Sequence, residues 1–260
     1  MNRRKKGNQI LKARAKKANA KLAPKNKPRY ISKAERAKLA EEAAKDPKLQ
    51  FSINEDKPAD WFEPLYAKAN IDGEGVPWAN MSTQPLFKHW LEANELQGKD
   101  KSALVVGCGL GDDAIELEQR GFSVTAFDVS ETAINLCKKR FPESKVEFIQ
   151  ADLLAELSQW HKAFDFVLEI YTVQALPPKY EAQLIDNIAA FVAEGGHLLV
   201  IAEVSNEERQ FENGPPWLLT PEHVDAFCHR GLSVEQRLDN DGALEAKAGS
   251  YITLFKAQAL

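Results

Sequence analysis

The feature that most constrains this chain is an alternation of apolar and amphipathic segments running from Lys101 to about residue 203. The apolar runs SALVVG, SVTAFD, VEFIQAD, FDFVLEIY and GGHLLVIAE are separated by helical stretches. These are DAIELEQR, ETAINLCKKRF, a short one near Leu154 to Gln159, and YEAQLIDNIAAFV. Strands that read as continuous apolar runs are buried on both faces, and helices between them supply the cover, so the pattern predicts a mostly parallel sheet in an α/β fold. Two later runs, LSVEQRL and SYITLFKA, flank DNDG and predict a C-terminal antiparallel hairpin. Ahead of the alternation, aromatic residues, Pro and Gly mark an irregular approach to a helix around Pro85 to Leu96. At 260 residues and 44% hydrophobic, the chain has enough apolar surface for one full core and an appendage.

The appendage is visible in the charge. Residues 1 to 45 hold 16 Lys and Arg against 3 Asp and Glu, whereas the remainder holds 18 against 35. A segment of Lys, Arg, Ala and Asn has too few apolar side chains to offset the entropy of ordering a core. We therefore expect a basic extension over residues 1–50, partly disordered, followed by one domain over 51–260. Within the extension, Ser32 with Glu35 three residues later reads as a capping box for a helix reaching Lys45. The apolar runs are far too short to span a bilayer and no signal-peptide core follows the start, which gives the expectation of a cytoplasmic protein without membrane contact. Cys108, Cys137 and Cys228 form no CxxC pair, and the five histidines lack metal-binding spacing or a partnered nucleophile. No metal site or catalytic triad is expected.

The first strand leads into GCGLGDDA, with Gly107, Gly109 and Gly111 spaced as GxGxG. Such a turn admits close backbone approach by a cofactor, but a dinucleotide fingerprint would have its third glycine at position 112, where Asp112 stands. Asp112 and Asp113 at the opening of the next helix suit its dipole and disfavour a phosphate. S-adenosylmethionine carries no phosphate and has a sulfonium and an ammonium group, so it is compatible with both carboxylates. Asp128 ends the second strand about 20 residues after the turn, where a carboxylate accepts both ribose hydroxyls. Asp152 follows the third strand, on the same edge of the sheet and within reach of an adenine amino group.

With VVGCGLGDDA, TAFDVS, QADLL, FDFVLEIYTVQALPP and EGGHLLVI on the page, residues from about 60 to 256 resemble a class I S-adenosylmethionine-dependent methyltransferase with a Rossmann-like sheet. The stretches VPWANMSTQPLFKHWL and GPPWLLTPEHVDAF resemble its thiopurine and thiol methyltransferase-like branch, which implies a small-molecule methyl acceptor, with a thiol or other soft nucleophile. By this resemblance Gly107, Gly109 and Gly111 admit the cofactor, Asp128 holds the ribose, Asp152 the adenine, and Leu153 gives an apolar contact beside it. Glu169 and Tyr171, after the fourth strand, are the candidate catalytic residues. Glu169 either binds the cationic methionine end or acts as a base, and Trp78 closes over the sulfonium. Family members commonly have Asp-Arg after the fourth strand, whereas this chain has Glu169-Ile170.

The basic start resembles a short, uncharacterised family of basic bacterial proteins, which implies no activity. Its charge opens a rival reading, an RNA or ribosome-associated methyltransferase recruited through weak nucleic-acid contact by residues 1–45. Against that rival, LEIY after the fourth strand is not the Asn/Asp-Pro-Pro-aromatic motif that holds an exocyclic amine, and Pro177 and Pro178 come too late. The acidic remainder would also repel nucleic acid. A third reading is a tethering module that binds cofactor without turnover.

Overall fold

The structure, a computed structural model, describes residues 54, 56–205, 209, 215–239 and 248–258. The basic extension expected over 1–50, its Ser32–Lys45 helix and most of the DNDG loop lie outside the described residues. Among the described residues no helix is long and apolar enough to cross a membrane.

A short helix α1 (Phe62–Tyr66) and a longer α2 (Pro85–Ala93) precede the sheet. Gln84 starts α2, its side chain accepting the Phe87 N–H ahead of Pro85 at the first helical position. The alternation follows as β1 (Ser102–Val106), α3 (Asp112–Gln119), β2 (Ser123–Asp128), α4 (Glu131–Arg140), β3 (Glu147–Gln150), β4 (Phe164–Ile170), α5 (Glu181–Ala190) and β5 (Val192–Ser205). The stretch near Leu154 to Gln159, expected to be helical, supplies only a 3-10 turn at Ser158–Trp160. A short α6 (Pro221–Asp225), then β6 (Leu232–Asp239) and β7 (Ala248–Ala257), complete the chain.

The sheet has the order β3-β2-β1-β4-β5-β7-β6. The pairings β1–β2, β1–β4, β2–β3 and β4–β5 are parallel; β5–β7 and β6–β7 are antiparallel. The expected hairpin is present, with β7 inserted between β5 and β6. Chain order reverses between β1 and β4, the kind of switch point at whose carboxyl edge open α/β sheets bind ligands.

Alternate side chains along each strand feed two cores. Leu104, Val106, Val167, Leu198 and Val200 pack with Leu184, Ile185 and Ile188 of α5. Ala103, Val105, Phe166, Leu168, Leu199 and Ile201 pack with Phe87, Trp90 and Leu91 of α2 and with Ala114 and Leu117 of α3. A third, smaller cluster joins Tyr66 and Val76 of the N-terminal approach to Leu110, Ala133 and Leu136, which seats that approach over the glycine turn.

Candidate active site

The turn from β1 into α3 is made by three glycines at positive φ, Gly107 (60°), Gly109 (53°) and Gly111 (87°), a region costly for other L-residues. Their surroundings differ. A Cβ on Gly107 would lie 2.7 Å from Thr172 Oγ1, and one on Gly111 would lie 3.0 Å from both Cys137 Sγ and Phe148. These two glycines thus let protein pack against the turn. A Cβ on Gly109 points instead at Tyr66 Oη, 3.1 Å away, with Trp78 Nε1 at 4.0 Å. Trp78 donates its indole N–H to Tyr66 Oη at 3.0 Å and meets Trp61, Phe62 and Tyr66 edge-on. Trp78 itself is 41% exposed, so it is the outer wall of this aromatic cover and Tyr66 the inner one.

Glu63 fastens the cover. It accepts from Ser130 Oγ at 2.6 Å and from the N–H and hydroxyl of Thr132, so an α1 carboxylate sits on the N-terminus of α4. Burial alone would raise this carboxyl, and the Ser130 and Thr132 hydrogen bonds outweigh it and hold it below the usual range.

Asp128, at the end of β2, lies beneath this latch. Its Oδ2 accepts the Gly109 N–H at 3.0 Å and its Oδ1 the Ser130 N–H at 2.9 Å, which ties the turn to the start of α4. Burial pushes the carboxyl up to about 6 despite these bonds. Asp152 lies two residues beyond β3, exposed, with Oδ1 accepting the Leu154 N–H at 2.8 Å. Leu153 beside it is buried, and its carbonyl accepts from Asn187 at 2.7 Å.

Glu169, near the end of β4, is 1% exposed. Its Oε1 accepts the N–H groups of Thr172 at 2.7 Å and Val173 at 3.0 Å, while Oε2 has no partner. Burial pushes this carboxyl up to about 7. Tyr171 follows at φ 59°, unusual for a residue with a bulky side chain. Its hydroxyl receives Gln84 Nε2 at 3.2 Å and is hydrogen-bonded to Ser250, and burial raises it above its ordinary value.

The two aspartates of the turn do not stand as open charges, which corrects the argument made from sequence. Asp112 is held by both terminal nitrogens of Arg140, at 2.7 and 2.8 Å. Asp113 is half-buried and accepts the Gln84 N–H at 2.7 Å, and loss of solvation pushes it up to about 7. Selection against phosphate therefore cannot rest on these two carboxylates. What the sequence missed is the set of tertiary partners, Tyr66, Glu63, Gln84 and Arg140; the aromatic spacing of the approach was the one available signal. Among the described residues, no group of three or more His, Cys, Asp and Glu could hold a metal ion.

Residues 103–196 match the family described as Methyltransferase domain, a match that contains the glycine turn, Asp128, Asp152 and Glu169. The chain carries a class I methyltransferase domain. Residues 1–43 match a separate family described as a protein of unknown function. Over 181 residues the chain is 24% identical to a probable thiol methyltransferase of Arabidopsis thaliana, covering 67% of this chain and 76% of that protein. Over 146 residues it is 29% identical to a fatty-acid O-methyltransferase of Mycolicibacterium smegmatis, 54% of this chain and 52% of that protein. A solved S-adenosylmethionine-dependent methyltransferase from Methanosarcina mazei shares the fold at TM-score 0.55 and 18% identity, over 69% of this chain and 100% of that one.

The cofactor of this methyltransferase domain is S-adenosylmethionine, and the residues present suit it. A buried carboxyl with one unpartnered oxygen, Glu169, follows the switch point, and a cationic ligand is what such a group lacks. The one glycine of the turn whose missing side chain faces the cover is Gly109.

Proposed function

We propose that this domain transfers a methyl group from S-adenosylmethionine to a small-molecule acceptor, through a thiol or another soft nucleophile. The observation that carries the reading is the aromatic cover. Tyr66 and Trp78 close over Gly109, and the Glu63 latch fastens the same segment beside Asp128, so an aromatic wall covers the glycine turn, which suits a small ligand. The thiol and fatty-acid methyltransferases similar to this chain support an acceptor of that size. We place the domain boundary near residue 50 and the protein in the cytoplasm.

The bound cofactor supplies a methyl group on a sulfonium, whose thioether leaves uncharged. The protein's work is then mainly to hold a nucleophile roughly 3 Å from that methyl in line with the breaking bond. In this reading Gly107, Gly109 and Gly111 admit the cofactor's backbone-like portion. Asp128 accepts the ribose hydroxyls, exchanging its Gly109 or Ser130 contact for them. Asp152 takes the adenine amino group and Leu153 lies against the ring. Trp78 favours the sulfonium by a cation–π attraction of about 0.5–2 kcal/mol. Glu169 holds the cationic methionine end through its open oxygen or takes the acceptor's proton. A carboxyl held at about 7 is matched to a thiol of ordinary acidity near 8.5, so either assignment is chemically competent. Tyr171 bounds the acceptor side.

The test is transfer of labelled methyl into a cell extract by the full chain and by a chain lacking residues 1–50, with protein, RNA and small-molecule fractions counted apart. Label in small molecules with both chains is the expected result. Label confined to RNA, and lost with the basic extension, refutes it.

A further inference from the structure

The carboxyl edge divides into two halves. With strands about 4.8 Å apart and the order β1-β4-β5, the end of β5 lies about 10 Å from the glycine turn. A cofactor seated over β1 to β3, with its methionine end toward β4, leaves the ends of β5 and β7 to the acceptor.

Four elements bring polar side chains to that second half. Gln84 comes from the start of α2, Tyr171 from the end of β4, Glu203 from the end of β5, and Ser250, directly opposite Glu203, from β7. Glu203 follows Leu199 and Ile201 on the α2 face of the sheet, whereas Glu169 shares the α5 face with Val167. Glu203 and Glu169 are therefore separate groups with separate surroundings. Gln84 spends its Nε2 on the Tyr171 hydroxyl and its Oε1 on the Phe87 N–H, and Ser250 bonds the same hydroxyl.

The carboxylate of Glu203 has no such partner. Among the described residues it forms no hydrogen bond or ion pair, and burial alone pushes it above the ordinary carboxylate range. Its backbone is nonetheless fixed, since the Glu203 N–H donates to Gln174 Oε1 at 2.8 Å. Gln174 is 1% exposed, its carbonyl accepts the Trp217 N–H at 2.8 Å, and its Nε2 has no acceptor. A half-buried acid near the end of β5, held through its backbone by a buried amide in the turn after β4, is a group on a rigid frame that a polar ligand completes.

We infer that Glu203 binds a cationic nitrogen on the methyl acceptor, so that the preferred acceptors are small molecules carrying an amine alongside the nucleophile. This rests on the small-molecule reading above. Partly withdrawn from water, and with no cation beside it among the described residues, a carboxylate favours an ammonium group over a neutral or anionic one, which selects among acceptors of equal size.

The experiment separates this inference from that reading by measuring binding and not turnover. The full chain saturated with S-adenosylhomocysteine is titrated calorimetrically with benzylamine, protonated at neutral pH, and with benzyl alcohol, its uncharged counterpart. The same is done with Glu203→Gln, which keeps the shape and the backbone bond to Gln174. Benzylammonium should bind more tightly than the alcohol, and the substitution should remove about tenfold or more of that preference while leaving the alcohol unchanged. Equal binding of the two probes, no binding of benzylammonium, or an unchanged preference in the variant overturns the inference. So does a variant that weakens only S-adenosylhomocysteine, because the carboxylate would then serve the cofactor's own ammonium. None of these results depends on whether a thiol is methylated.

Discussion

Replacing Glu169 by Gln tests the electrostatic account of the site through folding alone. The carboxyl is 1% exposed and is pushed from 4.5 up to about 7 because ionising it without water or a cation is costly. Between those two values the folded chain binds more protons than the unfolded one, so its stability falls as pH rises. The loss is complete once pH has passed the folded value, and a carboxyl moved from 4.5 to about 7 then costs about 3 kcal/mol. Glutamine keeps a carbonyl oxygen for the N–H groups of Thr172 and Val173 and carries no charge. The assay is urea denaturation of both proteins without cofactor across pH 4 to 8. Asp113 and Asp128 are also raised, and their slopes of the same sign are common to both proteins, so the difference isolates Glu169. The two stabilities should converge near pH 4.5, and the variant should lead by about 3 kcal/mol above pH 7. A difference independent of pH would refute the claim that Glu169 is an uncompensated buried acid. Saturating S-adenosylmethionine gives a second reading: beyond the stabilisation that binding gives each protein, a cation beside the open oxygen should flatten the wild-type dependence on pH toward that of the variant.

Asp128→Asn should weaken S-adenosylmethionine by about tenfold to a hundredfold, the value of a charge-assisted hydrogen bond, as read by calorimetry. Unchanged affinity removes Asp128 from the ribose site. Gly109→Ala places a methyl 3.1 Å from Tyr66 Oη at a φ of 53°, and should cost about 1–2 kcal/mol in chemical denaturation together with a loss of cofactor affinity. Glu63→Gln gives up the charge that accepts from Ser130 and Thr132, and the cover should loosen. Stopped-flow tryptophan fluorescence from Trp61 and Trp78 should then report cofactor association and dissociation several-fold faster, with equal rates refuting the latch.

How far the sequence carried the fold depended on the range of the interaction. Strands β1, β2 and β4 were legible because each is an apolar run bounded by turn residues, and α3, α4 and α5 because their apolar residues recur at helical spacing. The placement of Asp128 at the end of β2, and of Glu169 near the end of β4, came from the same local pattern. The insertion of β7 between β5 and β6 did not, since two antiparallel neighbours read alike whichever of them meets the sheet. Nor did the pairing of Asp112 with Arg140 across 28 residues, which a glycine turn closed against α4 creates and which removes an open charge that the sequence suggested. Gln84 was read only as the approach to a helix, yet it caps α2, donates its N–H to Asp113 and its side-chain amide to Tyr171, three contacts to groups on different elements.

The carboxyls of this edge sort by what satisfies them, and the sorting bears on which ligand each one awaits. Asp112 is spent on Arg140 and Glu63 on the start of α4, so neither needs a ligand. Asp113 and Asp128 are bonded to backbone N–H groups and still raised by burial, which makes them hold structure now and, for Asp128, exchange one contact for another on binding. Among the described carboxyls of this edge, Glu169 has a buried oxygen with no partner and Glu203 is half-buried with none, on opposite faces of the sheet and on adjacent strands. In the proposed reading the cofactor brings a sulfonium, which Trp78 faces, and an ammonium at its methionine end, which suits Glu169. Glu203 stands two strands from the glycine turn and faces α2, and in the inference above the positive centre that answers it arrives on the acceptor.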